Sequence, residues 1–346
     1  MTVNGLHFVG SVNLPDAEST FRSLASSAGA HARRLPDGET GERLGWIIWL
    51  SEALRQTPAL EVRSTGVVAG LEWPKFGIRA DVTSDDFEVH DFGHAKAARR
   101  SYRIFRQLRQ EGAIASGTRF QVTLPTPGAI LVAFIDPPDQ LRLEGPIKRV
   151  MARAIAEIAA EIPAGDLAFQ WDSPAEVGIV EGVFPPYYAD SATKQEVVRR
   201  LVDLGALVPA GVQLGYHLCY GDTGDVDDPE GSHWKNPDDL AVVCRLMNEL
   251  TVATTRPIDF FHVPVPIQRD DAAYFSPLKS LRIPKDCELY LGLLHREDGL
   301  EGARRRISAA RPFRAEFGLA TECGMGREHQ ESIPGLLELH AFAAEL

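Results

Sequence analysis

Three observations predict that residues 1–346 form an α/β fold, a single (β/α)8 TIM barrel. The chain has 346 residues with 44% hydrophobic content, which suits a large core of one such barrel. Short β-rich runs alternate with amphipathic helical runs over nearly the whole length, the pattern of right-handed parallel β-α-β units. No internal repeat or linker rich in Gly and Ser interrupts the alternation. The sequence therefore predicts one domain in which strands and helices alternate.

Eight β-rich runs are the predicted barrel strands. They are residues 6–10, 31–36, 119–124, 167–171, 212–217, 258–262, 288–294 and 315–320. The second run, HARRLP, is more polar than a buried strand usually is. Apolar residues at helical spacing predict helices between the strands. Their patterns cover residues 16–29, 145–162, 194–205, 238–250, 299–310 and 333–346.

A segment near residues 57–95 falls outside this alternation. It contains Trp73-Pro74 and the stretch FEVHDFGHAK, whose aromatic and histidine residues follow no clear period. We expect this segment to be an insertion that folds over one end of the barrel.

Composition and charge exclude several classes of protein. The formal net charge of −12, with no run rich in Lys and Arg, argues against binding to nucleic acid or an anionic membrane surface. No window of about 18 apolar residues is present, and the first residues lack the pattern of a signal peptide. The sequence therefore predicts a cytoplasmic protein whose partners are small molecules, and four cysteines that are thiols or metal ligands.

The strongest chemical signal is the pair His217 and Cys219, where a predicted strand ends. Residues two apart at a strand end point to the same side, so an imidazole and a thiol lie next to each other. Cys323 leaves the last predicted strand in the same way. Two thiolates and an imidazole are a donor set that holds zinc. A single cysteine is more often buried in a core, and we assign that role to Cys244 and Cys287.

Other polar residues share this position at the carboxyl ends of the predicted strands, the face where barrel enzymes carry their active sites. The full set is Ser11, Glu39, Pro125, Asp172, His217 with Cys219, His262, His295 and Cys323. For two of these residues a structural role is an alternative. Glu39 and Asp172 would then form salt bridges inside the barrel mouth, with Arg43 as the partner.

Six motifs in the same order resemble the catalytic C-terminal barrel of cobalamin-independent methionine synthase, in the superfamily that includes uroporphyrinogen decarboxylase. They are FVGSVNLPD, DGETGERLGWIIWLSEAL, VTLPTPGAIL, FQWDSPAEVG, YHLCY and TECGMGR. Together they extend over most of the chain. The counterparts in the family include Gln-x-Asp-Glu-Pro, His-x-Cys-Tyr and Asp-Cys-Gly.

The resemblance implies roles for individual residues. His217, Cys219 and Cys323 would bind Zn2+. Ser11, Glu39 and Asp172 would hold the amino and carboxyl ends of an amino-acid thiol, and His295 would be the counterpart of a histidine that donates a proton. His295 and Asp172 are thus the predicted catalytic residues.

At the sixth strand the chain departs from the family, because His262 stands where methionine synthases have a glutamate ligand. As a fourth metal ligand, an imidazole in place of a carboxylate would leave the site less anionic and the bound thiolate less electron-rich. This predicts an alkyl donor more reactive than methyltetrahydrofolate, or activation of water or a carbonyl group. A buried core histidine is the alternative for His262.

These observations predict zinc-dependent transfer of an alkyl group, most simply methyl, to a metal-bound thiol such as homocysteine. One alternative is a zinc-dependent lyase or hydrolase on the same barrel, with water or a substrate oxygen at the open metal position. Another is a barrel without metal that binds a ligand or has a structural role.

Overall fold

The computed structural model describes residues 3–45, 47–68, 71–84, 86–188, 193–221 and 234–346. Seven parallel strands in these residues form one curled sheet. In sheet order they are β1 (Arg34–Pro36), β4 (Arg119–Pro125), β5 (Leu167–Asp172), β6 (Gln213–His217), β7 (Phe260–Pro264), β8 (Glu288–Leu294) and β9 (Gly318–Thr321). Each overlaps one of the predicted strand runs. The α/β fold with a curled parallel sheet is therefore confirmed.

The first predicted strand, residues 6–10, is not a regular strand, although it lies where the prediction requires. Leu6 forms isolated parallel bridges to both Ala32 and Leu319, next to the two edge strands of the sheet. The carbonyl groups that follow take their hydrogen bonds from side chains instead of from a neighbouring strand. Gln121 Nε2–H donates to the carbonyls of Phe8 and Val9 at 3.0 and 3.1 Å. A regular ladder is lost because side chains inside the sheet occupy these acceptors.

The polar run HARRLP contains a strand because both terminal nitrogens of its buried arginine are paired. Arg34 is 1% exposed and forms an ion pair with Glu288. Its guanidinium also donates to Gln213 Oε1 at 2.8 Å and Tyr290 Oη at 3.0 Å, and lies 4.0 Å from the ring centroid of Phe260. Such pairing offsets the cost of burying a charge at the amino-terminal end of the sheet.

Helices cover the sheet, and each predicted helical pattern overlaps one of them. The bounds are α1 (Ala17–Ala28), α2 (Leu50–Arg55), α3 (His94–Gln110), α4 (Pro127–Phe134), α5 (Pro137–Glu161), α6 (Pro174–Val180), α7 (Thr193–Gly205), α8 (Ala241–Ala253), α9 (Ala272–Phe275), α10 (Gly299–Ala310) and α11 (Ile333–Ala344). Asp16 caps α1, since its carboxylate accepts the Ser19 N–H at 2.7 Å. No helix among the described residues is long and apolar enough to span a membrane.

The insertion forms an antiparallel hairpin of β2 (Leu60–Val68) and β3 (Leu71–Ile78). Two side chains of β3 attach it to the end of α4. Trp73 Nε1–H donates to the Ala133 carbonyl at 2.7 Å, and Lys75 Nζ donates to the Val132 carbonyl at 2.8 Å. These contacts hold the hairpin over the carboxyl ends of the strands.

Candidate metal centre and substrate cavity

The predicted imidazole and thiol groups converge. His217 ends β6, Cys219 follows two residues later, and Cys323 follows β9. One ligand atom from each lies within 4.8 Å of the others. His217 Nε2 is 3.8 Å from Cys323 Sγ, although the two residues are 106 positions apart in sequence. The parallel sheet produces this proximity by bringing distant strand ends to one edge.

The electrostatics of this cluster fit a divalent cation. Burial, and then the nearby His262, lower the pKa of His217 well below its ordinary value, so the imidazole is neutral. Contact with the Cys219 thiol, followed by burial, raises the pKa of Cys323 well above its ordinary value. Two adjacent thiolates are unfavourable without a neighbouring positive charge, and a bound metal ion removes that penalty. One imidazole and two thiols are also the ligand types that zinc prefers.

His262 lies behind His217 and is not part of the group of three. Its Nδ1 is 2.7 Å from His217 Nδ1, and its Nε2 is 3.1 Å from the carbonyl oxygen of Thr321. Both ring nitrogens are therefore in hydrogen bonds to protein atoms. The ring is fully buried, and burial lowers the pKa of His262 to about 3. The structure thus places His262, the predicted fourth ligand, against His217 and outside the group of three.

The predicted substrate-binding residues line one cavity with the three predicted metal ligands. The cavity and the open solvent at its mouth together span about 930 Å³. Ser11, Glu39 and Asp172 contribute to its wall together with His217, Cys219 and Cys323. The structure therefore gathers the predicted amino-acid-binding side chains and the predicted metal ligands at a single opening.

Glu39 is held in a strained conformation beside a second carboxylate. Its φ of 49° lies in the left-handed region that residues other than glycine rarely adopt. Its N–H donates to Asp37 Oδ1 at 2.9 Å, which stabilises the turn. Burial, and then the charge of Asp172, raise the pKa of Glu39 to about 8. A cation placed between Glu39 and Asp172 would favour the ionised form of both.

Arg43 forms its salt bridge with Asp37, and its charge also opposes the effects of burial and Asp172 on the pKa of Glu39. Its guanidinium is 2.6 Å from Asp37 Oδ2, and Ser101 Oγ donates to the same oxygen at 2.6 Å. Asp172 is instead oriented by Gln170, whose Nε2–H donates to Asp172 Oδ1 at 2.9 Å. The carboxylate that faces the cavity is thus fixed by a neutral amide.

Ser11 packs against the glycines that follow Cys323. A Cβ atom on Gly324 would lie 2.4 Å from Ser11 Oγ, and one on Gly326 would lie 2.7 Å from it. The N–H of Met325 donates to the Ser11 carbonyl at 2.7 Å. The glycines of TECGMGR are therefore needed for the close approach that places Ser11 beside Cys323.

His295 and Pro125 lie at the same end of the sheet but outside the main cavity wall. His295 Nε2–H donates to the Val265 carbonyl at 2.9 Å, and its Nδ1 lies 3.7 Å from Glu322 Oε2. Pro125 lines a smaller adjoining cavity that also borders Glu39 and Asp172.

Sequence reasoning did not identify part of the cavity wall. The additional lining residues include Leu44, Ile48, Leu71, Trp73 and Arg327. Leu71 and Trp73 belong to the hairpin, and no periodicity in the sequence indicates which hairpin residues face the barrel. Their position depends on how the hairpin docks.

Comparisons with known proteins agree on the fold. No family model and no curated protein matches the chain by sequence. A B12-independent methionine synthase from Shewanella sp. W3-18-1, solved in complex with selenomethionine, has a TM-score of 0.63 at 13% identity, covering 100% of this chain and 97% of that one. A protein from Listeria monocytogenes assigned as a vitamin B12-independent methionine synthase has a TM-score of 0.59 at 15% identity, covering 99% and 98%. The family that the motifs resemble thus includes solved structures that share this fold.

Proposed function

We propose that the protein is a zinc-dependent enzyme that transfers an alkyl group, most simply methyl, to the thiol of an amino acid such as homocysteine. The observation that carries this proposal is the shared cavity, in which three zinc-type donors face two buried carboxylates. The similarity in fold between this chain and methionine synthase structures supports alkyl transfer to a thiol.

His217, Cys219 and Cys323 would hold the metal through one imidazole nitrogen and two sulfurs. Three protein ligands leave one position of a tetrahedral ion for substrate. Zinc in this site would lower the pKa of a substrate thiol, so that the nucleophilic thiolate exists at neutral pH.

The carboxylates account for an amino-acid substrate. Glu39 and Asp172 bind its ammonium group, whose positive charge favours the ionised form of both carboxylates. The Ser11 hydroxyl donates a hydrogen bond to its carboxylate. Holding both ends of the substrate fixes the direction of the thiol and reduces the entropy cost of reaching the reactive geometry.

The alkyl donor occupies the outer part of the cavity in this proposal. That part is bounded by Leu44, Ile48, Leu71 and Trp73, all large and apolar. A donor that presents an apolar or aromatic face buries surface there and excludes water from the transferred alkyl group. The role of His295 as a proton donor stays a prediction, since this residue lies outside the wall of the main cavity.

Metal analysis with thiol-dependent assays tests the proposal. We expect about one zinc ion per purified chain, and alkylation of homocysteine that requires this metal. Cys244→Ala, in the hydrophobic core, is the matched control and should retain zinc. A metal-free protein with full transfer activity would contradict the proposal, and turnover that needs no thiol would favour the lyase or hydrolase alternative.

A further inference from the structure

The hydrogen bonds of His262 determine which nitrogen of His217 faces the thiols. Building on the proposed zinc site, we propose that His262 is a positioning residue that fixes the tautomer of His217 with Nε2 free for the metal. The sequence suggested a ligand or a core histidine, and neither describes this arrangement.

The carbonyl of Thr321 determines which ring nitrogen of His262 carries a proton. A carbonyl oxygen only accepts hydrogen bonds, so the His262 nitrogen 3.1 Å from it, Nε2, carries a proton. The ring has no exposed surface, and the rings in contact with it are those of His217 and His7, at centroid distances of 4.7 and 5.5 Å. A charged imidazolium is unfavourable at such a buried position. A neutral ring with Nε2–H has a bare Nδ1, which acts as an acceptor.

The proton on His262 Nε2 in turn determines which nitrogen of His217 carries a proton. His217 Nδ1 lies 2.7 Å from the bare His262 Nδ1, so it must carry a proton and donate it. A neutral His217 then has its lone pair on Nε2, the atom that lies 3.8 Å from Cys323 Sγ. Because the hydrogen bond at one imidazole nitrogen decides whether the other can bind a metal, this relay prepares His217 as a ligand.

Thr321 extends the relay to the second sulfur ligand. Its hydroxyl donates to the Cys323 carbonyl at 2.7 Å, while its own carbonyl accepts from His262. His217 is 1% exposed, His262 is 0% exposed and Thr321 is 8% exposed, so solvent competes little for these hydrogen bonds. The contacts connect β6, β7 and β9 and hold two ligands in register with each other.

Among the described residues, His7 lies close to His262 without forming a hydrogen bond to it. The ring centroid of His7 is 5.5 Å away, and His7 Nε2 is engaged with Gln170 Oε1 at 2.8 Å. Removing the acceptor at His262 Nδ1 therefore leaves His217 Nδ1–H without its partner. Because an unpaired buried donor is unfavourable, His217 would then move its proton to Nε2 or turn its ring. Either change removes the Nε2 lone pair from the thiol cluster.

Two variants separate this role from simple packing. His262→Asn can place its amide oxygen near the original Nδ1 position and accept from His217. His262→Phe fills the same apolar space but accepts nothing. Long-range proton–nitrogen NMR of the metal-free protein should show His217 protonated at Nδ1 in the native protein and in His262→Asn, but not in His262→Phe.

Zinc affinity, measured by competition with a chromophoric chelator, gives the second readout. We expect His262→Phe to bind zinc about 10- to 100-fold more weakly than the native protein. His262→Asn should recover most of this loss, and thermal unfolding of the metal-free variants reports on folding. A native His217 protonated at Nε2, or native zinc affinity in His262→Phe, would overturn the inference.

The readouts also separate this inference from the proposed function. Zinc binding with the expected tautomer but without alkyl transfer would leave the role of His262 intact and refute the activity. A native protein that binds no zinc would overturn both.

Discussion

Charged and ionisable groups are arranged differently at the two ends of the parallel sheet. At the amino-terminal end, Arg34 is surrounded by Glu288 and neutral hydrogen-bond acceptors, so positive and negative charges compensate each other. At the carboxyl end, two carboxylates and two thiols, all of which become negative on ionisation, line one cavity together with Arg327. Paired charges stabilise a fold only if both partners stay, whereas an excess of groups that ionise to one sign favours binding of a cation. The comparison indicates that stability resides at one end and ligand chemistry at the other.

The largest expected effect is at the carboxyl end. Cys219→Ser removes a sulfur ligand, so zinc content should fall to background and kcat/KM for alkyl transfer should fall by at least about 100-fold. Elemental analysis and steady-state kinetics measure both. The unfolding temperature of the metal-free protein should change little, because Cys219 lies at the cavity wall. Unchanged zinc content would remove this residue from the proposed ligand set.

The next effect is at the amino-terminal end. Arg34→Met removes the buried guanidinium that bonds Gln213 and Tyr290, whereas Glu288 keeps its ion pair with Arg33 at 2.6 Å. The free energy of unfolding should therefore fall by about 1–3 kcal/mol, the cost of losing hydrogen bonds to a charged group. Zinc content per folded chain should not change. Urea unfolding gives the stability. A variant that unfolds normally but loses zinc would contradict the division between the two ends.

A smaller effect is expected for the ammonium-binding pair. Asp172→Asn removes one of two charges that face the substrate ammonium, and KM for the amino-acid thiol should rise by about 30-fold or more. The same thiol without its amino group should show nearly unchanged kinetics. Equal losses for both thiols would show that Asp172 does not recognise the ammonium.

The pH dependence of substrate binding should show the smallest change. Because burial and Asp172 raise the pKa of Glu39 to about 8, more of the ionised form is available as pH rises through that value. Affinity for the amino-acid thiol should therefore increase by about tenfold from one pH unit below this pKa to the plateau above it. Calorimetric titration across this range measures the effect, and Glu39→Gln should abolish it.

The raised pKa of Glu39 has the opposite effect on the stability of the fold: affinity for substrate increases with pH, whereas stability decreases. The folded pKa of about 8 exceeds the ordinary value of 4.5, so neutral Glu39 stabilises the fold below the lower value. This contribution is lost as pH rises through about 8. Glu39→Gln should consequently gain stability relative to the native protein as pH increases, which a series of denaturant titrations would show.

Several features of the fold were predictable because they are local. The helix over residues 299–310 was predicted with the same bounds that α10 has in the structure, since its apolar residues repeat at helical spacing. The hairpin strands β2 and β3 were not predicted, because exposed residues along β2 obscure the alternation of a half-buried strand. Residues 6–10 failed to form a regular strand because distant glutamines supply the hydrogen bonds.

By itself, the sequence determined that His217 and Cys219 lie next to each other, because two residues at a strand end have a fixed spacing. It also determined the chemistry of the donors. Only the tertiary structure decided that Cys323 joins them and that His262 contacts His217 without joining the cluster. The pairing of β6 with β7 places the two histidines in register, and side-chain direction then selects which nitrogen meets which partner. Such selection depends on contacts between segments far apart in the chain, which local spacing does not encode.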